Sequence, residues 1–418
     1  MEQKRLYRTI ENIYKEAPKL KTNEEILKYV LHELIKNEEI NIRGGRIWKL
    51  SDNKKGYILI EQAGDVDIIE DHYEVEVTDY NVFKEIGKYR SVIAEETDKY
   101  LIKKGIYHYS ATGVGERYRI KPQIENEEPY FLYQYLIALN PERYEEDLIN
   151  TLNIISTTLS SILRSRKIES KALENIEDLE KAREIQRSIL PEHEYKFGNY
   201  EIFGVSIPEK IVGGDFFDYL PSSDKEILGI AVGDAASKGV SAAAQALYVS
   251  GALKMGVEFD IKMTTLIKKI NQLIYDTFPF ERFVTLFYLE LFNDSKGLCL
   301  YINAGHNRPV SYKSKTDEVI ELYTTGPVLG PAPKQNYYYE RFNFDIGDVM
   351  LIYSDGIVEA ADKDFKFYTE ERLMNLLKKH HSLSPKEICE HIIEDVQIFS
   401  AHGAYSDDKT LVAIKRIK

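Results

Sequence analysis

The spacing of apolar and polar residues divides the chain into three segments. In the first segment, apolar residues recur at helical spacing from Lys4 to Asn37. Strand-like stretches follow, with turn residues between them: GRIWKL, GYILIEQAG, YEVEV and PYFLYQYLIAL. A further helix is expected near Pro141, a residue suited to a first helical turn. The pattern predicts a first domain, of helices around antiparallel strands, over residues 1–165.

This order of elements resembles a GAF-type sensor domain. The resemblance is architectural, because residues 1–165 contain no diagnostic motif, and a PAS-type sensor is the alternative. It implies a sensor ligand that the sequence does not identify.

The second segment is predicted to be one long helix over residues 142–190, without Gly or Pro until Pro191. Its first half has the alternating spacing of a coiled-coil seam: Leu148, Leu152, Ile155, Leu159 and Ile162. After the charged stretch RSRKIESK, a second apolar stripe follows: Leu173, Ile176, Leu179, Ala182, Ile185 and Ile189. We predict a coiled-coil homodimer through this helix. The alternative is a helix packed against its own domain.

The third segment, residues 195–418, contains many short strand signals and few helical ones. RFVTLFYLELF and GLCLYINAG, joined by NDSK, predict a hairpin. Because the strands do not alternate regularly with helices, the segment predicts an α+β fold with antiparallel sheets.

The composition limits the classes of binding partner and the cellular compartment that we expect. The formal net charge of −13 argues against a nucleic-acid partner, because phosphate backbones are bound by clustered Lys and Arg. The chain contains no apolar run of the ~18–20 residues that a membrane span needs. Its two cysteines, Cys299 and Cys389, give neither a disulfide framework nor a zinc pattern. We therefore expect a cytoplasmic protein.

Acidic residues stand beside apolar runs at four places in the third segment. The stretch IAVGDAASKGVSAAAQALY, for example, ends an apolar run on Asp234, although an ionised side chain is costly to bury. The other places are VGGDFFD, LIYSDGIVEA and YSDDKTLVAI. Carboxylates without nearby His or Cys favour hard cations such as Mg²⁺ or Mn²⁺. Each place alone is as readily explained by a turn.

The order of motifs resembles the metal-dependent PPM serine/threonine phosphatases, in the bacterial branch of sporulation stage II and stress-sigma regulatory phosphatases. The motifs are AREIQRSILP, PEKIVGGDFFD, GDAASKGVSAAA, FVTLFY, NAGHNRP, GPVLG, GDVMLIYSDGIVEA and SDDKTLVAIKR. They cover the third segment and the end of the long helix. This resemblance implies an αββα sandwich, in which helices flank two antiparallel sheets, over residues 195–418.

The resemblance also implies a centre for two divalent cations, Mn²⁺ or Mg²⁺. The residues that match the acidic ligands of the family, and therefore the catalytic positions, are Asp215, Asp234, Asp355 and Asp407. Asp234 would bridge the two ions, which explains how a carboxylate is tolerated at the end of an apolar run.

Further positions are implied around these ligands. The carbonyl of Ala235 would bind the second ion, and Asp218 and Asp408 would support the ligands. Lys210 and Lys238 are candidate phosphate contacts.

The chain departs from the family after the bridging aspartate. Members commonly have Ser-Gly-Lys-Gly where this chain has Ala236, Ser237, Lys238 and Gly239. Loss of the first glycine is expected to restrain the loop that carries the carbonyl ligand. For His306 in NAGHNRP we expect a structural hydrogen-bonding role.

The function implied is a sensor-regulated phosphatase that hydrolyses phosphoserine or phosphothreonine with a water activated by two metal ions. By analogy the substrate is a STAS-domain regulator of the anti-anti-sigma type. A pseudophosphatase that docks phosphoproteins without turnover is the alternative. A metal-dependent phosphodiesterase fits the carboxylates but not the order of the motifs.

Overall fold

The computed structural model describes residues 2–36, 42–94, 109–121, 128–141, 147–279, 281–403 and 405–418. The chain divides into two units, Met1–Glu174 and Asn175–Lys418. The division falls within one helix, so the predicted domain boundaries at 165 and 195 stay predictions.

The N-terminal unit is built on one sheet of six antiparallel strands, in the order β3-β2-β1-β6-β5-β4. The strands are β1 (Ile42–Leu50), β2 (Gly56–Gly64), β3 (Glu74–Glu76), β4 (Ser91–Ala94), β5 (Tyr109–Ile120) and β6 (Tyr130–Pro141). The helices that begin in this unit are α1 (Glu2–Glu16), α2 (Asn23–Lys36), α3 (Val82–Tyr89) and α4 (Asp147–Ile189). The arrangement of helices around antiparallel strands agrees with the predicted pattern, and the GAF-type identity stays a prediction.

Helix α4 is the predicted long helix, with 43 residues. It begins at Asp147, whereas Pro141, the residue near which we expected it to begin, is the last residue of β6. Residues 142–146 lie outside the described residues.

The predicted seam of α4 is buried in the core of its own unit. Leu148, Leu152, Ile155, Leu159 and Ile162 pack in one cluster with buried residues of α2 and of β6. The alternative of a helix packed against its own domain therefore describes the first half of α4. The second stripe differs, because Leu173, Ile176, Ile185 and Ile189 are exposed.

The C-terminal unit contains two antiparallel sheets, in the orders β15-β12-β11-β10-β9 and β14-β13-β16-β17-β8-β7. The first comprises β9 (Phe216–Pro221), β10 (Ile227–Ala235), β11 (Val284–Phe292), β12 (Leu298–Ala304) and β15 (Glu340–Asn343). The second comprises β7 (Glu194–Phe197), β8 (Tyr200–Ile207), β13 (Val310–Lys313), β14 (Glu318–Glu321), β16 (Val349–Tyr353) and β17 (Lys409–Arg416). The helices are α5 (Val240–Glu258), α6 (Met263–Thr277), α7 (Asp355–Val358), α8 (Glu370–His380) and α9 (Pro385–Ser400).

Side chains from both sheets form a common core, to which β10 contributes Ile230 and Val232. The opposite face of β10 packs under α5 and α6 through Ala231 and Ala235. Because β10 is buried on both faces, its sequence is a continuous apolar run rather than an alternating one. Helices α8 and α9 cover the outer face of the second sheet. The predicted αββα sandwich is confirmed.

Both cysteines are free and buried, in different layers of this unit. Cys299 lies in the core between the sheets, and Cys389 of α9 lies between the helices and the second sheet. Burial raises the pKa of both thiols.

Across the described ranges, none of the helices combines the length and the apolar character needed to cross a membrane.

Candidate active site

The four predicted acidic ligands lie at the ends of strands in the C-terminal unit. Asp234 is the penultimate residue of β10 and pairs with Thr285 of β11. Asp215 directly precedes β9, the other neighbour of β10. Asp355 follows β16 as the first residue of α7, and Asp407 precedes β17. Each of these aspartates therefore stands next to, or at the end of, a strand whose residues are mostly buried.

Electrostatic coupling shows that these side chains are brought together. Burial, followed by the charges of Asp355, Asp407 and Asp408, raises the pKa of Asp234 to about 7. Burial, followed by the charge of Asp234, raises the pKa of Asp215 well above its usual range. The pKa of Asp355 is also raised, by burial first and then by neighbouring charges that include Asp407. These carboxylates repel one another across a shared, partly buried space.

One oxygen of this cluster is left without a partner. Asp215 is 4% exposed, and its buried Oδ2 accepts no hydrogen bond from any described residue. A buried carboxylate oxygen without a donor is costly unless a cation neutralises it. The donor set, carboxylates with no His or Cys, suits Mn²⁺ or Mg²⁺. The residues therefore fit divalent cations.

The cluster is not a closed ligand cage. Among the described residues, no group of three or more His, Cys, Asp or Glu side chains has the arrangement that holds a metal ion. The carboxylate of Asp407 has partners of its own. Its Oδ2 accepts hydrogen bonds from Lys238 Nζ at 2.9 Å and from the Tyr405 hydroxyl at 3.2 Å. The carboxylates therefore interact electrostatically without forming a complete ligand group among the described residues.

Asp408 holds the loop that carries Asp215. Its Oδ1 accepts from the backbone N–H of Glu209 at 2.8 Å. Its Oδ2 accepts from the N–H groups of Gly214 at 2.6 Å and Asp215 at 3.4 Å. Gly213 permits this approach, because a Cβ there would lie 2.5 Å from Asp408 Oδ2. Asp408 thus holds the backbone beside Asp215, and its role in supporting metal ligands stays a prediction.

Asp218 has a different environment from the four acidic positions. It is buried, and its Oδ2 accepts from Ser250 Oγ at 2.8 Å and pairs with Lys254 Nζ at 3.0 Å. Burial raises its pKa, while Lys254 opposes the shift. Lys254 also donates to the carbonyl of Ile189, the last residue of α4. Asp218 thus connects β9 to α5, and Lys254 connects α5 to the end of α4.

The two candidate phosphate contacts are placed differently. Lys238 lies at the cluster, where the carboxylate of Asp407 raises its pKa, and half of its side chain is exposed. Lys210 is exposed. For Lys210, the described residues provide no hydrogen bond or ion pair that would place it at the cluster.

The carbonyl of Ala235, the predicted backbone ligand, already has a donor. It accepts from the N–H of Ser237 at 2.6 Å. Ser237 Oγ in turn donates to Gln245 Oε1 of α5 at 2.9 Å. Ser237 stands where the family commonly has glycine, and of these two bonds the one to Gln245 depends on its side chain. The expected restraint of the loop stays a prediction.

His306 is buried and hydrogen-bonded through Nδ1 and its backbone, while its buried Nε2 has no partner among the described residues. Its structural role stays a prediction. Its ring Nδ1 lies 2.9 Å from Thr285 Oγ1, and its backbone N–H donates to Asn303 Oδ1 at 2.8 Å. Burial lowers the pKa of His306 to about 4, so the ring is neutral near pH 7. Through Thr285 it supports the strand position opposite Asp234.

Sequence reasoning did not single out Gln186. This side chain is 7% exposed and bonds twice to Gly213, with Nε2 donating to the carbonyl and Oε1 accepting from the N–H. The signal available was a glutamine within AREIQRSILP, in the last turn of α4. Its partner identifies it as a second support of the Asp215 loop.

Comparisons with known proteins agree with this geometry. Residues 224–417 match the family described as Stage II sporulation protein E (SpoIIE). Phosphoserine phosphatase RsbU of Bacillus subtilis is 26% identical over 310 residues, which cover 72% of this chain and 89% of the relative. Protein IcfG of Synechocystis is 28% identical over 267 residues, covering 57% of this chain and 41% of that protein.

A solved structure supports the fold. The SiaA-PP2C domain of Pseudomonas aeruginosa matches with a TM-score of 0.50 and 20% identity, over 58% of this chain and 98% of that domain. At this identity the match concerns the fold. Together with the sandwich described above, it shows that the C-terminal part of this chain has the PP2C fold, and residues 224–417 within it match the SpoIIE family.

Proposed function

We propose that this chain is a metal-dependent phosphatase that releases phosphate from phosphoserine or phosphothreonine in a protein of a signalling pathway. The observation that carries the proposal is the cluster of strand-end carboxylates around Asp234, with the orphaned Oδ2 of Asp215 inside it. The similarity to a protein named phosphoserine phosphatase supports the same class of substrate.

Asp215, Asp234, Asp355 and Asp407, with the carbonyl of Ala235, would hold two Mn²⁺ or Mg²⁺ ions. When bound, such ions lower the pKa of water and offset charge on phosphoryl oxygens. For Ala235 to bind an ion, its carbonyl must accept a cation as well as the N–H of Ser237, since carbonyl oxygens have two lone pairs.

Other residues of this chain would position the reacting groups. Asp408 fixes the backbone of the Asp215 loop through three N–H groups. Lys238 presents a partly exposed ammonium group beside Asp407. Release of Lys238 from Asp407 would allow it to contact the phosphoryl group of a substrate.

The proposal is tested by phosphate release from a phosphoserine peptide, with the full chain and increasing MnCl₂ or MgCl₂. We expect turnover that EDTA abolishes. Asp234→Asn should lower the rate by more than the ~10–100-fold typical of residues outside the direct ligand set. Asp224→Asn, in the exposed turn between β9 and β10, is the matched control and should keep the wild-type rate.

The pseudophosphatase alternative predicts a different result. A binding module would bind the phosphopeptide without releasing phosphate at saturating Mn²⁺ and Mg²⁺. A cyclic dinucleotide assayed in parallel tests the phosphodiesterase alternative, which predicts that this compound is hydrolysed. We favour turnover, because a site that only docks phosphate has no use for four mutually repelling carboxylates.

We propose a STAS-domain regulator as the protein substrate, on the basis of the family resemblance. The test compares phosphate release from a serine-phosphorylated STAS domain and from a peptide of the same local sequence. A higher kcat/KM for the domain supports recognition of the folded partner. Equal kcat/KM values for the domain and the peptide would show that the enzyme recognises only the local sequence, which would contradict this proposal.

We also propose a homodimer, through the second half of α4 only. The first half is committed to the core of the N-terminal unit, so Leu159→Lys would unfold that unit instead of testing assembly. Ile176 lies on the exposed stripe and is 49% exposed. Ile176→Lys should shift a dimer to a monomer in analytical ultracentrifugation, while Asp178→Lys, on the opposite helix face, should not. A monomeric wild-type chain at micromolar concentration would exclude the dimer.

A further inference from the structure

The N-terminal unit contains a groove with a volume of about 1240 Å³. It is lined by residues of α4 and β5, by Gln134 of β6, by Arg90 directly after α3, and by Lys21 just before α2 and Asn23 at its start. We name it the basic groove, because its lining includes seven Lys or Arg residues and two Glu. This excess of positive charge stands in a chain whose net charge is −13. The excess of positively charged side chains is therefore local to the groove.

Helix α4 supplies one wall of the basic groove. Arg164, Lys167 and Lys171 follow one another at spacings of three and four, and therefore share a helix face. Like charges at these spacings repel by a few tenths of a kcal/mol. Lys167 is paired with Glu116. Arg164 and Lys171 are exposed, and no ion pair joins either to another described residue.

Arg166 of α4 and Arg117 of β5 also line the groove, and neutral groups hold both of them. Arg166 donates to the backbone carbonyls of Lys21 at 2.6 Å and of Thr22 at 3.4 Å. Arg117 Nε donates to the carbonyl of Gly87 at 3.0 Å. A carbonyl orients a guanidinium without cancelling its charge, so both residues keep their full charge and their remaining N–H donors.

A third arginine is oriented in the same way, among hydroxyl groups. Arg90 Nη1 lies 3.3 Å from Ser156 Oγ and 3.4 Å from Thr157 Oγ1. Thr157, Ser160 and Ser161 bring hydroxyls to the lining, whereas Ser156 is buried behind it. Hydroxyls beside arginines are donors that suit phosphate oxygens.

We propose that the basic groove binds a small organic anion that carries two or more phosphate groups. A concave surface lined by one sign of charge concentrates its field, which attracts a ligand of opposite charge. Arginine forks match phosphate geometry. Arg164 and Lys171 are about 10 Å apart along the helix axis, a span that favours several charged groups over one.

A solvated helix face is the simpler explanation for the exposed lysines of α4. It does not account for Arg90, Arg117 and Arg166, which neutral partners orient within the same groove. The inference concerns the N-terminal unit alone, and it does not depend on the proposed phosphatase activity.

Isothermal titration calorimetry on the full chain tests the proposal. EDTA is kept in excess, so that the acidic cluster of the C-terminal unit has no metal with which to retain phosphate. The probes are ATP, inorganic tripolyphosphate and the neutral nucleoside adenosine. We expect one saturable site for ATP, weakened by salt, and no binding of adenosine. Tripolyphosphate that binds as tightly as ATP would assign recognition to the phosphates alone, and weaker binding would assign part of it to the nucleoside.

Arg164→Ala with Lys171→Ala should weaken binding at least tenfold. Both side chains are exposed, so the double variant should keep the wild-type circular dichroism spectrum. Lys15→Ala with Lys55→Ala removes the same charge from exposed positions outside the groove, and should change affinity less than threefold. Absence of saturable binding of both phosphate probes at millimolar concentration, or equal affinity in the groove variant, would overturn the proposal.

Discussion

Gln186 Nε2 lies 2.8 Å from the carbonyl oxygen of Gly213, and the Gly213 N–H returns to Gln186 Oε1 at 3.3 Å. This reciprocal pair joins the last turns of α4 to the loop that presents Asp215. A side-chain amide is one of few groups that can satisfy both a donor and an acceptor of one residue. The end of α4 is therefore part of the support of the candidate active site.

We expect Gln186→Ala to lower phosphatase kcat/KM about tenfold, because loss of a buried hydrogen-bond pair worth ~1–3 kcal/mol frees the Asp215 loop. A MnCl₂ titration should show a higher metal requirement. Arg187→Ala, at the exposed neighbouring position, is the control. An unchanged rate and metal requirement in Gln186→Ala would show that Gly213 needs no side-chain support.

Removal of the Asp408 carboxylate should destabilise the C-terminal unit. Asp408→Ala leaves the N–H groups of Glu209, Gly214 and Asp215 without their acceptor, and we expect a loss of about 1.5–3 kcal/mol in the free energy of unfolding. Urea unfolding measures the loss. Asp408→Asn keeps one acceptor oxygen and should cost less; an equal cost would mean that charge, rather than hydrogen bonding, is what Asp408 contributes.

A pair of glycine substitutions should have opposite effects. A Cβ at Gly356 would lie 2.0 Å from the backbone carbonyl oxygen of Asp408, so Gly356→Ala must shift a strand end. We expect a loss of about 1–3 kcal/mol or more, as for overpacking of a core. A Cβ at Gly251, within α5, meets nothing within 4 Å. Gly251→Ala should instead add about 0.4–1 kcal/mol. Thermal denaturation distinguishes the two, and an unaffected Gly356→Ala would contradict the tight packing at α7.

Divalent cations should stabilise the folded chain. Mn²⁺ at one hundred times its dissociation constant would add about 2.7 kcal/mol, because it binds the folded state and relieves repulsion among the carboxylates. Differential scanning calorimetry in EDTA and in MnCl₂ measures the shift in Tm. Asp234→Asn should reduce it, whereas Asp224→Asn should not. A Tm independent of Mn²⁺ in the wild-type chain would count against the metal assignment.

Much of the C-terminal fold was accessible from the sequence, because its central strands, such as β10 and β16, are buried on both faces. The apolar run of β10 identifies a central strand, and its interruption at Asp234 marks the edge where the acidic residues gather. The layered α+β arrangement follows from many short strands with few helices. The convergence of Asp215 and Asp234 with Asp355 came from the family resemblance, since no local pattern relates residues so far apart in the chain.

Other features depend on tertiary contacts that periodicity does not report. The seam around Leu159 has the spacing of a coiled coil, but the same spacing serves a helix packed on its own sheet. Strand β5 was not predicted, because its glycines and charged residues give a weak strand pattern. One of these glycines, Gly113, lies against the ring of Tyr133, a contact that the sequence pattern does not report. Lys210 lies within the motif PEKIVGGDFFD, yet its side chain is exposed. Gln186 was found only through its contact with Gly213.

The two buried thiols give the C-terminal unit a pair of internal reporters. Thiolates, rather than thiols, react with alkylating agents, and burial suppresses both access and ionisation. Cys299 becomes reactive only when the sheets separate, and Cys389 only when α9 lifts from its sheet. Iodoacetamide labelling followed by peptide mass spectrometry would therefore distinguish loosening of one layer from complete unfolding, without any engineered probe.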